Sequence, residues 1–139
     1  MEHSIQNSIT DEILKQASLL YNTNPKAISY VGGFENFVYE FKKDDKDYIL
    51  RFVHSNHRSH NLVLAEIEFI DYLAHHNAPV STVIHSINNK IVEKIELTNN
   101  TYLSVSVFTK APGTYINRNQ LNEEIYHTLG KHIGLLHKL

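Results

Sequence analysis

The chain contains no cysteine, so disulfides and thiolate chemistry are closed to it. It has no apolar run approaching the length of a membrane helix, and its first residues, Met1-Glu2-His3-Ser4, lack the basic-then-apolar pattern of a secretory leader. These absences point to a soluble cytoplasmic protein, in which the Asn99-Asn100-Thr101 sequon is only a turn. Charge of one sign is missing too: 13 Lys and Arg stand against 15 Asp and Glu, a formal net charge of −2 with no dense basic block. That balance leaves no electrostatic footprint for nucleic acid or for an acidic membrane surface. Small, roughly neutral partners are expected. What is present is enough: 139 residues suffice for one domain, which would bury roughly two-thirds of the surface its unfolded form exposes.

Thr10, Asp11 and Glu12 favour a helix start, and Ile13, Leu14, Ala17, Leu20 and Tyr21 follow at helical spacing, which predicts an amphipathic helix over residues 10–21. Pro25 ends it, and a strand should cover residues 27–31. Phe37, Tyr39 and Phe41 alternate with Val38, Glu40 and Lys42, and a polar turn at 43–46 leads into a strand over 47–53, which predicts a hairpin. A second pair, 90–97 and 101–109, is divided by Thr98-Asn99-Asn100. The expected class is α+β, a five-stranded antiparallel sheet with a helix inserted after the third strand and a helix at each end. The last helix, over 119–138, carries Leu121, Ile125, Leu129, Ile133 and Leu136 on one stripe with no later element to cover it. That uncovered stripe either docks back on the sheet or marks a chain cut from something longer, the reading favoured here, and it offers a surface for association through this helix.

Three places carry chemistry. Gly32 and Gly33 lack a Cβ, so the backbone can take positive φ and approach a bound phosphate, although two adjacent glycines also fit an ordinary hairpin turn. Arg51 lies within Tyr48-Ile49-Leu50-Arg51-Phe52-Val53, and a charge among apolar neighbours demands a partner. On the helix over 60–76, Leu62, Val63, Phe69, Ile70 and Leu73 fall within roughly 60° of Glu66, while Glu68, Asp71 and His75 point away. Glu66 is therefore expected at the centre of the apolar face, paired with Arg51. His54, His57 and His60 recur every third residue, but without cysteine a loop between strand and helix accounts for them more simply than a metal site.

The order of these parts, a glycine loop between two strands, a cation on the third, a carboxylate on the following helix and a later Phe108-Thr109-Lys110-Ala111-Pro112-Gly113 turn, resembles the aminoglycoside phosphotransferase superfamily. Its relatives include choline, homoserine and methylthioribose kinases, and the resemblance runs from about Ile28 to the last residue. It implies a protein-kinase-like nucleotide-binding lobe over residues 1–112, and a linker with the first helix of a second lobe over 113–139. It further implies Mg-ATP as donor and a small-molecule hydroxyl as acceptor. Asn36 and the aliphatic Val38 match the family's glycine-loop pattern, and Val38 with Ile49 would roof the adenine. Arg51 stands where the family more often has Lys, with Glu66 as its partner. Phe108 would form the back wall of the pocket, and Thr109, Lys110 and Ala111 the connector whose backbone meets the purine edge.

In the family, an Asp acts as base, and an Asn and a further Asp bind magnesium, in a loop that follows the helix resembled by residues 129–139. None of those residues occurs here, so no catalytic residue is assigned, the chain alone is expected to be inactive, and an H-x-D-x-x-x-x-N segment is expected to follow Leu139. Two other readings remain open: a noncatalytic binding or regulatory module that retains the lobe, and a metal-dependent regulator using the histidines.

Overall fold

The computed structural model describes residues 8–98, 100–114 and 116–139. Helix α1 covers Asp11–Leu20, and the Thr10 hydroxyl accepts from the Ile13 N–H at 3.4 Å. A short 3₁₀ turn, Pro25–Ala27, leads into strand β1, Ser29–Gly32. Strands β2, Phe37–Lys43, and β3, Lys46–His54, form the expected hairpin. Its two turn residues, Asp44 and Asp45, both have positive φ (50° and 59°), the geometry of a tight primed turn. Helix α2, His60–His75, is capped by the Ser59 side chain, which accepts from the Leu62 N–H. Then come β4, Val83–Ile84, β5, Glu93–Glu96, β6, Tyr102–Thr109, and helix α3, Glu123–Leu136.

The sheet is antiparallel, in the order β1-β2-β3-β6-β4 with β5 also paired to β6. It has six strands where five are predicted, because Val83–Ile84 is too short to show alternation and forms only by pairing with Phe108 and Val107. The turn between β5 and β6 includes Asn99, which lies outside the described residues.

Alternation along the strands builds two cores, one on each face. On the first face α1 places Ile13 and Ala17 against Phe37, Tyr39, Phe41, Leu50, Phe52, Val105 and Val107. On the second, α2 places Val63 and Ile67 against Val53, Val83, Val92 and Phe108. The last helix begins later than the pattern suggests, since Arg118–Gln120 is a 3₁₀ turn and Leu121 precedes α3. Its apolar stripe is open, with Leu129 and Ile133 about half exposed.

Glu93 is a buried carboxylate on the side of the first core. Its Oε1 accepts from Ser86 Oγ at 2.6 Å and from Asn88 Nδ2 at 2.7 Å, tying the turn before β5 to the sheet. Glu93→Ala leaves both donors without their acceptor, and urea denaturation should show a loss of about 2 kcal/mol. Lys90→Met, which removes only the outer ion pair at 3.8 Å, should stay within about 0.5 kcal/mol of the wild type.

Candidate functional site

The second face of the sheet collects the chemistry. Val38, Arg51 and Ser106 are direct neighbours across β2, β3 and β6, and Glu40, Ile49 and Phe108 form the next row. Residues opposite one another in a ladder share a face, so this register puts Arg51 beside the aliphatic Val38 and one row from Phe108. The Phe108 ring lies 5.4 Å from the guanidinium carbon.

Arg51 donates from Nη1 to Glu66 Oε1 at 2.7 Å, so the strand and the helix are joined as expected. Glu66, however, lies at the edge of the buried face of α2. Val63, Ile67 and Leu73 are buried and Ile70 is half-buried, whereas Leu62 and Phe69, which share Glu66's other side, are more than half exposed. The helix is turned so that its branched residues fill the core and Glu66 reaches the cation at the margin. Glu68 faces solvent.

A second cation completes the group. Arg58, on the loop between β3 and α2, donates from Nη1 to Glu66 Oε2 and from Nη2 to the Leu62 carbonyl. Burial raises the Glu66 pKa, but the hydrogen bonds and charges of Arg51 and then Arg58 outweigh it, and the net shift is downward. Sequence reasoning missed Arg58, because it sits in an aperiodic polar loop where no pattern marks one residue over another. Two of the Arg51 donors, Nε and Nη2, are buried with no partner among the described residues, and so is the Ser106 Oγ beside them.

The glycine loop joins β1 to β2 beside Val38, whose partner across the ladder is Gly32. Gly32 and Gly33 have φ of 156° and 151°, and a Cβ built on Gly33 would lie 1.7 Å from the Asn36 carbonyl oxygen. That close approach requires glycine at 33, while Gly32 has open space. The Asn36 Oδ1 is buried with no partner among the described residues, and Phe34, at the tip, is 82% exposed.

Ile49, Phe108 and Thr109 line one depression of about 390 Å³ with Ile70, Val80 and Ser81, the last three unpredicted. Val38 is on the same face but does not line it. Lys110 and Ala111 line a neighbouring hollow with Lys46, Asp47, Pro112 and Gly113. Thr109 is held on both sides, its N–H donating to the Thr82 carbonyl and its Oγ1 accepting from the Thr82 N–H, each at 2.9 Å. The Lys110 N–H donates to the Asp47 carbonyl, and its side chain reaches Glu40 Oε2 at 2.5 Å, a contact that raises its pKa. The Ala111 N–H has no partner among the described residues.

Two of the three clustered histidines make structural contacts. His54 Nδ1 accepts from the Asn56 N–H at 3.1 Å, and His60 Nδ1 meets Ser104 Oγ at 3.0 Å. No group of three His, Asp or Glu side chains among the described residues could hold a metal ion.

An antiparallel sheet with a cation strand, an inserted helix carrying the paired carboxylate, and a strand running out into a Pro-Gly connector is a protein-kinase-like amino-terminal lobe. The chain belongs to the phosphotransferase enzyme family, whose model matches residues 26–139. It is 30% identical over 129 residues to amicoumacin kinase of Bacillus subtilis (strain 168), covering 93% of this chain and 38% of that protein. Among solved structures, an amicoumacin kinase in complex with AMP-PNP, Ca2+ and Ami superposes with a TM-score of 0.90 at 29% identity, over 99% of this chain and 42% of its own. A microcompartment-associated aminopropanol kinase shares the fold, with a TM-score of 0.71 at 21% identity over 93% of this chain and 40% of its own. The chain thus spans about two-fifths of the length of these relatives.

Proposed function

We propose that this chain is the ATP-binding lobe of a phosphotransferase that moves a phosphoryl group from ATP to the hydroxyl of a small molecule. The observation that carries the reading is Arg51: a cation held by Glu66, with two buried donors left over beside an apolar depression. Unpaired buried donors are costly, and a phosphate oxygen is the acceptor they suit. In this reading Ile49, Phe108 and Val38 take the purine, the backbone of Thr109, Lys110 and Ala111 meets its edge, and Gly32, Gly33 and Asn36 shape the loop over the phosphates. ATP supplies the transferable phosphoryl group; Arg51 orients it and Glu66 orients Arg51.

Residues 1–112 would form the lobe and 113–139 the linker and first helix of a second one, whose contact with the open side of α3 would complete the enzyme. The lack of cysteine supports a cytoplasmic setting, and no helix among the described residues is long and apolar enough to cross a membrane. The identity to amicoumacin kinase makes amicoumacin the first acceptor to try on the completed protein.

With the magnesium ligands assigned by the family resemblance to a second lobe, the chain alone should bind ATP weakly and transfer phosphate no faster than a blank. Titration with ATP, followed by amide NMR, should shift Ile49, Arg51, Phe108 and Thr109, and Arg51→Met should abolish the triphosphate-dependent part. ATP shifts confined to other surfaces would overturn the site. Magnesium-dependent phosphorylation of a small alcohol by the isolated chain would overturn the assignment of catalysis to residues it does not contain.

A further inference from the structure

We infer that Arg58 is a positioning residue that keeps Arg51 available to an anion, an inference that rests on the phosphate-binding reading of Arg51. A guanidinium and a carboxylate pair best as two parallel hydrogen bonds, and Arg51 and Glu66 are close enough to do so. They do not. Glu66 gives Oε1 to Arg51 and Oε2 to Arg58, so each guanidinium receives a single oxygen.

Arg58 is itself anchored, by its second nitrogen to the Leu62 carbonyl one helical turn before Glu66 and by its own N–H to the His54 carbonyl at the end of β3. It therefore holds Oε2 from a fixed position. The consequence for Arg51 is that Nε and Nη2 stay unpaired, buried and next to the Ser106 hydroxyl, which also lacks a partner among the described residues. Two guanidiniums and one carboxylate leave a net charge of +1, on the face where the buried donors wait. Without Arg58, Glu66 would be free to take two bonds from Arg51, neutralising it and turning its fork away from the ligand.

The alternative is that Arg58 only adds positive charge or only fastens the loop. A lysine at position 51 separates these cases, because an ammonium is a point charge that a carboxylate cannot lock by a two-bond fork. Lysine should make Arg58 dispensable.

The experiment uses the 139-residue chain as wild type, Arg58→Met, Arg51→Lys and the double variant, titrated with inorganic tripolyphosphate, ATP and adenosine. Arg58→Met should weaken tripolyphosphate binding about tenfold or more, the effect of losing one charge-assisted hydrogen bond. Adenosine binding should not change. The double variant should bind tripolyphosphate more tightly than Arg58→Met does, whereas a pure charge or loop effect would make it equal or weaker. Arg58→Gln, which keeps a polar side chain on the loop, repeats the comparison in case the methionine variant folds poorly. Tripolyphosphate binding that is unchanged in both Arg58 variants, or a double variant no tighter than the single, overturns the inference and leaves the nucleotide reading standing. Wild-type protein that binds neither ATP nor tripolyphosphate overturns both.

Discussion

Glu66→Leu should cost about 3 kcal/mol in urea denaturation, at the low end for breaking a buried ion pair because the carboxylate keeps 28% of its side chain in water. The substitution strands two guanidiniums, Arg51 and Arg58, which then face each other without a counterion. Arg51→Met should cost far less, about 1 kcal/mol, since Glu66 keeps Arg58 and only one partner is lost. Adding Arg51→Met to Glu66→Leu should then recover at least about 1 kcal/mol, because the more buried of the two stranded cations is gone. Glu68→Leu, on the solvent side of α2, should stay within about 0.5 kcal/mol. Strict additivity of the Arg51 and Glu66 effects would mean that the two side chains do not interact in solution.

The other large effect is expected at Gly33. Alanine there would put its Cβ 1.7 Å from the Asn36 carbonyl oxygen, a backbone atom that cannot swing aside as a side chain would, in a residue whose φ is 151°. The loop must open, and the strain of the backbone alone is worth about 1–3 kcal/mol. Gly33→Ala should therefore lower stability by more than about 2 kcal/mol, or displace the amide resonances of residues 32–37 throughout, and with them the ATP response at Arg51. Gly32→Ala meets no atom within 4 Å and should show the backbone strain alone. Equal, small effects at the two glycines would mean that the turn is an unconstrained hairpin.

The fold was legible where a single face of an element is buried. Phe37, Tyr39 and Phe41 alternate because one side of β2 meets α1, whereas β1, largely exposed, and β6, buried on both faces, carry no such period. The ion pair was legible too, because a charge in an apolar strand and a carboxylate among apolar helix positions each require an explanation. What stayed hidden is set by contacts between distant segments. Val83–Ile84 becomes a strand only against β6, and Arg58 acquires its role only when the loop folds back on Glu66. Helical angles placed Leu62 and Phe69 on the apolar face around Glu66, yet Val63, Ile67 and Leu73 define the packed side, which angles measured from Glu66 alone do not fix. The lining of the depression by Ile70, Val80 and Ser81 likewise depends on how the segment after α2 returns to the sheet.

Strand β6 has a consequence for how the chain acquires this structure. It pairs with β3, β4 and β5, and Leu103, Ser104, Val105, Ser106 and Val107 are wholly removed from solvent. Arg51 and Ser106 face each other although α2, β4 and β5 all lie between them in sequence. A growing polypeptide thus exposes the free edge of β3 in the β2–β3 hairpin well before the strand that pairs with it has been made. Folding governed by such distant pairings is slow, on the order of milliseconds to seconds, and the unshielded hairpin is the species most open to aggregation. The same strand should hold the last amides to exchange with deuterium, so the anion site would be assembled late in folding and on the most durable part of the sheet.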